Sequence, residues 1–125
     1  MTRKAFFTDK VVKLPAPLSN AVQSGNMLYL SGITAFTVER EIAEGDFAAQ
    51  MHQVMDSITI ILEEAGSSLE KVVKANAYLA RISDGPEMFA IYRTYFDEPY
   101  PALTTIGAGF IRKELMLEID CIAEI

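Results

Sequence analysis

Leu115-Met116-Leu117-Glu118-Ile119-Asp120-Cys121-Ile122-Ala123, close to the C-terminus, is the stretch whose reading decides the fold. It reads as a strand in which Leu115, Leu117, Ile119 and Cys121 face one way and Met116, Glu118, Asp120 and Ile122 the other. Both faces are apolar apart from two carboxylates, which are costly to bury, so their face must open to solvent, a partner or a site. Upstream lies Glu98-Pro99-Tyr100-Pro101-Ala102-Leu103-Thr104-Thr105-Ile106-Gly107. Its prolines end any preceding helix, and Thr104-Thr105-Ile106 starts a second strand. Glu118 is the first candidate for chemistry.

Working back, Ser83-Asp84-Gly85-Pro86-Glu87 opens a helix that runs through Met88, Phe89, Tyr92, Tyr95 and Phe96 and stops before Pro99. Val72 to Ala80 reads as a strand. Phe47, Met51, Val54, Met55, Ile58, Ile61, Leu62 and Ala65 form one apolar stripe of a long helix, capped by Asp46 and stopped by Gly66. Residues 33 to 45 form a polar connection. Ala21-Val22-Gln23, the turn Ser24-Gly25-Asn26 and Met27 to Ser31 make a hairpin, and Gly32 after it signals a bulge or a close approach. Pro15-Ala16-Pro17 is a connector, and residues 3 to 14 hold one edge strand or a small hairpin. The order predicts one α+β domain over residues 1–125, two helices covering one face of a mixed sheet. The uncovered apolar face predicts a homo-oligomer.

Composition narrows the function. Of 125 residues half are hydrophobic and 22% charged, which is globular. Eleven basic against seventeen acidic side chains give a net charge of -6, a poor match for a polyphosphate, so nucleic acid is not an expected partner. One cysteine and no long apolar run lead to the expectation of a cytoplasmic protein with no membrane span. No second His or Cys stands at metal spacing from His52, so it reads as a solvated helix position and no metal is expected. Gly107-Ala108-Gly109 is a turn, not a dinucleotide fingerprint. Cys121 reads as a small buried hydrophobe, Ser31 lacks a base, and Asp120 reads as a solvated strand-end charge. Glu118 stands between two readings, a site carboxylate or a structural ion pair with a cation such as Arg112 or Lys113.

The chain resembles the YjgF or RidA family, also labelled endoribonuclease L-PSP, through Pro15-Ala16-Pro17, Ala21-Val22, Gly25-Asn26, Ser31-Gly32, Leu62-Glu63-Glu64-Ala65-Gly66, Val72-Val73-Lys74, Tyr92 with Phe96, Pro101-Ala102 and Glu118 to Ala123. The resemblance implies a chorismate-mutase-like α+β protomer, a homotrimer, and small-molecule clefts at subunit interfaces where enamines and imines are hydrolysed without a cofactor. It places Leu18, Ser31, Gly32, Phe89, Leu103, Thr104 and Thr105 along the cleft, with Glu118 as the catalytic group and the Thr105 carbonyl orienting water. Three positions depart from the family's pattern. Leu103 stands where active members have the Arg that holds a substrate carboxylate, Leu18 where they have Tyr, and Phe89 or Ala90 where they have Asn. Each change is from polar to apolar, which argues against the usual carboxylate-bearing imines. Two functions follow: hydrolysis or tautomerisation of some other imine or enamine, or a non-catalytic ligand-binding or sensing trimer. RNA cleavage fits the acidic balance poorly.

Overall fold

The computed structural model describes residues 2–125. Helix α1 (Phe47–Glu64) forms where the apolar stripe lies, and all eight stripe residues, from Phe47 to Ala65, are buried. The Asp46 side chain accepts a hydrogen bond from the Ala49 N–H at 3.0 Å, and Gly66, at φ 88°, ends the helix. Helix α2 (Gly85–Tyr95) has Pro86 in its first turn. Asp84 precedes it, but its carboxylate accepts from Arg81 at 3.3 Å rather than from a helix N–H.

The strands are β1 (Lys4–Phe6), β2 (Ala21–Ser24), β3 (Met27–Leu30), β4 (Ile33–Thr34), β5 (Val72–Leu79), β6 (Ala102–Gly107) and β7 (Leu117–Glu124). They form one sheet in the order β1-β2-β3-β7-β5-β6, and β4 also pairs with β7. Only β5 and β6 pair in parallel, so the sheet is mixed. The hairpin turn has Gly25 at φ 62°. Residues 11 to 14 lie outside the strands, which leaves β1 as a single edge strand rather than half of a hairpin. Strand β6 starts at Ala102, two residues before the β-branched run, because its pairing with β5 extends to Lys74. β4 lies inside the stretch read as a polar connection.

Leu117, Ile119, Cys121 and Ala123 of β7 are buried, and in register beside them so are Leu79, Ala77, Ala75 and Val72 of β5. The helices cover this face. The other face is more polar than the apolar surface interrupted by two carboxylates that the sequence led us to expect. Tyr29 (45% exposed), Ile122 and Ile106 (48% exposed) flank a polar centre made of Lys74, Asn76, Tyr78, Thr104, Glu118 and Asp120.

One polar side chain on α1 is wholly buried. Gln50 donates from Nε2 to the carbonyls of Ala43, at 3.1 Å, and Glu114, at 2.9 Å, while its Oε1 accepts from the Met116 N–H at 2.9 Å. It ties α1 to the segment that delivers the chain into β7. Gln50→Ala strands three backbone groups, so it is expected to cost about 2–4 kcal/mol. Urea unfolding at fixed protein concentration measures this, and a loss below about 1 kcal/mol would mean that water replaces the side chain.

Candidate functional site

Strands β3 and β4 run in succession along one edge of β7. Tyr29 opposes Ile122 and Ile33 opposes Ile119, so Leu30, Ser31 and Gly32 face only Asp120 and Cys121. The extra residue is a bulge. It brings Gly32 against Glu118 so closely that an added Cβ would lie 3.2 Å from Glu118 Cγ and overlap the carboxyl group. Glycine is required there for close approach, not for its φ. The Ser31 hydroxyl donates to the Ser19 carbonyl at 2.6 Å, fastening the bulge to the proline-rich connector. Leu18, Asn20, Ser31, Gly32 and Thr34 line a narrow crevice of about 30 Å³ here.

Among the described residues no hydrogen bond or ion pair reaches the Glu118 carboxyl. Arg112 is engaged with Glu114 at 3.2 Å, so the ion pair weighed for Glu118 does not form with it. Burial, and then the negative charge of Asp120, push the Glu118 pKa above the ordinary glutamate value. Asp120 is not the solvated strand-end charge that the sequence suggested. It sits in mid-sheet, accepting from Asn76 Nδ2 at 2.7 Å and from the Tyr78 hydroxyl at 3.0 Å. That hydrogen bond is the main reason the Tyr78 phenol is also pushed upward.

A second cluster lies between α2 and the edge strand β6. Phe89, Tyr92, Arg93, Tyr100, Pro101 and Leu103 line a cavity of about 220 Å³. Thr105 faces the same side of β6 as Leu103, and its buried hydroxyl has no partner, like that of Tyr92. Thr104 points to the opposite face, where it accepts from Lys74 Nζ at 2.7 Å, and it does not line this cavity. Within one chain the candidates are therefore divided. Leu18, Ser31, Gly32 and Glu118 gather on one side of β5, and Phe89, Leu103 and Thr105 on the other; Glu118 is on the open face of the sheet, Leu103 and Thr105 face the helices, and the β7 and β6 backbones are about 10 Å apart by ordinary strand spacing.

Asp120 was visible in the alternation of β7, but its partners Asn76 and Tyr78 are set by β5 register, which no local pattern reveals. Arg93 carried no signal. His52 is exposed as expected, with its Nδ1 2.7 Å from the Tyr95 hydroxyl, and Tyr95 in turn reaches Asp56 at 3.2 Å. Cys121 is buried, and burial followed by the Asp120 charge pushes its thiol up to about 12, where it is inert. Among the described residues no three His, Cys, Asp or Glu side chains group as metal ligands, and no helix is long and apolar enough to cross a membrane.

Fold and site together define an α+β protein with an uncompensated carboxyl and an apolar cavity, features suited to a small molecule. Residues 9–125 match the sequence model of the family described as endoribonuclease L-PSP. The chain belongs to that family, also called YjgF or RidA. It is 36% identical over 124 residues to a RutC family protein of Pyrococcus abyssi, covering 98% of both chains. It is 31% identical over 127 residues to a 2-iminobutanoate/2-iminopropanoate deaminase of Dermatophagoides farinae, covering 100% of this chain and 99% of that one. Among solved structures, RidA from an Antarctic Psychrobacter superposes with a TM-score of 0.90 at 35% identity, over 98% of this chain and 99% of that one.

The raised Glu118 pKa has a consequence for stability. The folded chain holds this proton to higher pH than the unfolded chain, so its contribution is full below the unfolded carboxyl's pKa and is lost as pH rises through the folded value. Glu118→Gln is therefore expected to gain stability relative to the parent at neutral pH and to lose that advantage in acid. Melting temperatures of both proteins between pH 4 and 8 test this. A variant less stable than the parent at neutral pH would place a cation beside Glu118.

Proposed function

We propose that the protein is a homotrimer whose interface clefts hydrolyse or tautomerise an imine or enamine other than the small imino acids that carry a carboxylate on the reacting carbon. The observation that carries this reading is the Glu118 carboxyl, half-buried, without an ion-pair partner among the described residues and seated against Gly32. Its raised pKa makes the ionised carboxylate a stronger base than an ordinary glutamate, and the protonated form returns the proton as an acid. In imine hydrolysis water adds to the C=N carbon and loses a proton to the carboxylate, and the nitrogen gains one. The carbinolamine hydroxyl then gives up its proton and the nitrogen takes a second one through Glu118 as the C–N bond breaks, which releases ammonia and a carbonyl compound and returns Glu118 to its starting state. The reaction needs no cofactor.

The division of candidate residues supports the trimer. Neither cluster alone combines an acid with a cavity, and a second copy that brings its β6 and α2 edge to the Gly32 side would complete the site. The apolar flanks of the open sheet face, Tyr29 and Ile122 among them, give such contacts surface to bury. Sedimentation equilibrium at micromolar concentration is expected to give the mass of three chains, and a monomer would defeat the assembly.

The reaction named for the Dermatophagoides relative is the natural comparison. A 2-imino acid would set its carboxylate against Leu103, an apolar side chain. Freshly generated 2-iminopropanoate is therefore expected to be a poor substrate beside a neutral imine, judged by carbonyl product. Leu103→Arg should raise kcat/KM for the imino acid about tenfold, the return from one charge-assisted pair. Glu118→Gln should lower turnover of either substrate about a hundredfold or more. A trimer that binds neutral carbonyl compounds but hydrolyses no imine would instead be a ligand sensor.

A further inference from the structure

The cavity between α2 and β6 holds one charged group. Five of its six lining residues are aromatic or aliphatic, and the sixth is Arg93, in the last turn of α2. Of the other arginines, Arg81 and Arg112 pair with Asp84 and Glu114, Arg40 donates to the Lys13 carbonyl, and Arg3 stands exposed ahead of β1, away from any cavity named above. Arg93 makes no ion pair or hydrogen bond among the described residues, although the chain has seventeen acidic side chains to eleven basic ones. A position near a helix C-terminus explains a basic residue, but not why this guanidinium stands unpaired beside an apolar hollow. Below it, the ring of Tyr92, only 4% exposed, closes the floor of the hollow with Leu103, so an occupant's body meets an apolar surface and its charge can meet Arg93 alone.

We infer that this cavity binds the aromatic or branched apolar body of a substrate whose anionic group lies several bonds from the reacting carbon, with Arg93 holding that anion. This rests on the reading of the cleft as a carbonyl and imine site, and it names the substrate class. A small imino acid places its carboxylate next to the reacting carbon, where Leu103 offers nothing. A longer ligand separates the two demands: the apolar walls take its body, and a planar five-donor fork at the cavity wall takes its charge. Arg93 would then be a specificity-determining residue, with no part in proton transfer.

Two aryl methyl ketones of nearly the same shape test this, as product-like probes titrated calorimetrically into the intact protein: 4-acetylbenzoate, with a remote carboxylate, and neutral 4-methylacetophenone. The parent is expected to bind the acid at least tenfold more tightly than the neutral ketone, with a preference that shrinks as salt is raised. Arg93→Gln should remove the preference and leave the neutral ketone within about twofold, and Arg93→Lys should retain part of it, since a point charge replaces the fork. Because Arg93 is exposed, these variants are expected to fold. Equal binding of the two ketones by the parent, or an acid preference that survives in Arg93→Gln, overturns this inference and leaves the imine reading standing. If neither ketone binds, both readings fall together.

Discussion

Strand β7 is hydrogen-bonded along both edges, to β3 and β4 on one side and β5 on the other, and its two faces require opposite surroundings. Leu117, Ile119, Cys121 and Ala123 need a dry layer, which α1 and α2 supply. Glu118 and Asp120 need hydrogen bonds or water. A one-residue slip of this strand would drive both carboxylates under the helices and expose the core residues, so its register is strongly fixed. Asp120 finds Asn76 and Tyr78 in the neighbouring strand, whereas Glu118 finds only the backbone at Gly32. The fold satisfies one carboxylate and leaves the other available.

Two irregularities, one on each side of β7, make this arrangement possible. On β5, Val72 opposes Ala123 and Lys74 opposes Ile122, so Val73 is an extra residue and points outward with Lys74. Without that bulge a strand that starts with Val72 buried would turn Lys74 toward the helices, where an ammonium has no partner. On the other side the extra residue between β3 and β4 lets the chain continue along β7 while its backbone closes on Glu118. Bulges re-aim side chains at a cost in ladder hydrogen bonds, and here both flank the stretch from Glu118 to Ile122.

The parts of the fold legible in the sequence are those encoded by local period. The stripe from Phe47 to Ala65, the Asp46 cap, the turn at Gly25 and the alternation of β7 each depend on residues a few positions apart. β4 escaped because two residues carry no period, and Ile33–Thr34 form a strand only because β7 is beside them. The site was legible less evenly. Gly32 after a buried strand did announce a close approach, and the two carboxylates on β7 did announce a face unlike the other. Leu103, Thr104 and Thr105 form a run in sequence, yet a strand sends alternate residues to opposite faces, and Thr104 is held by Lys74 on the side away from the cavity. The partners of Asp120 and the solitary state of Arg93 depend on contacts distant in sequence, which composition and spacing do not encode.

The apolar residues in the two clusters and the unpaired state of Glu118 have a common physical logic. A guanidinium about 6 Å from a carboxylate, at an effective dielectric near 20, favours the ionised form by about 3 kcal/mol, or roughly two pKa units. In the proposed cleft, an Arg at position 103 would thus bind a substrate carboxylate and at the same time hold Glu118 ionised, restricting it to the role of base. There Leu103 would give up the first function and leave Glu118 free to take up and release a proton. In the proposed cleft Leu18 and a neighbouring copy's Phe89 would act in the same direction, since apolar neighbours exclude the water that would otherwise solvate the carboxylate. A cation at the cavity wall, such as Arg93, lies farther from that carboxyl in the single chain, beyond β5, and is more exposed to solvent screening, so it can recognise charge without ionising the acid. In the proposed cleft, substrate choice and proton affinity would be coupled through the position of one positive charge, which this sequence would place away from the carbon at which Glu118 acts.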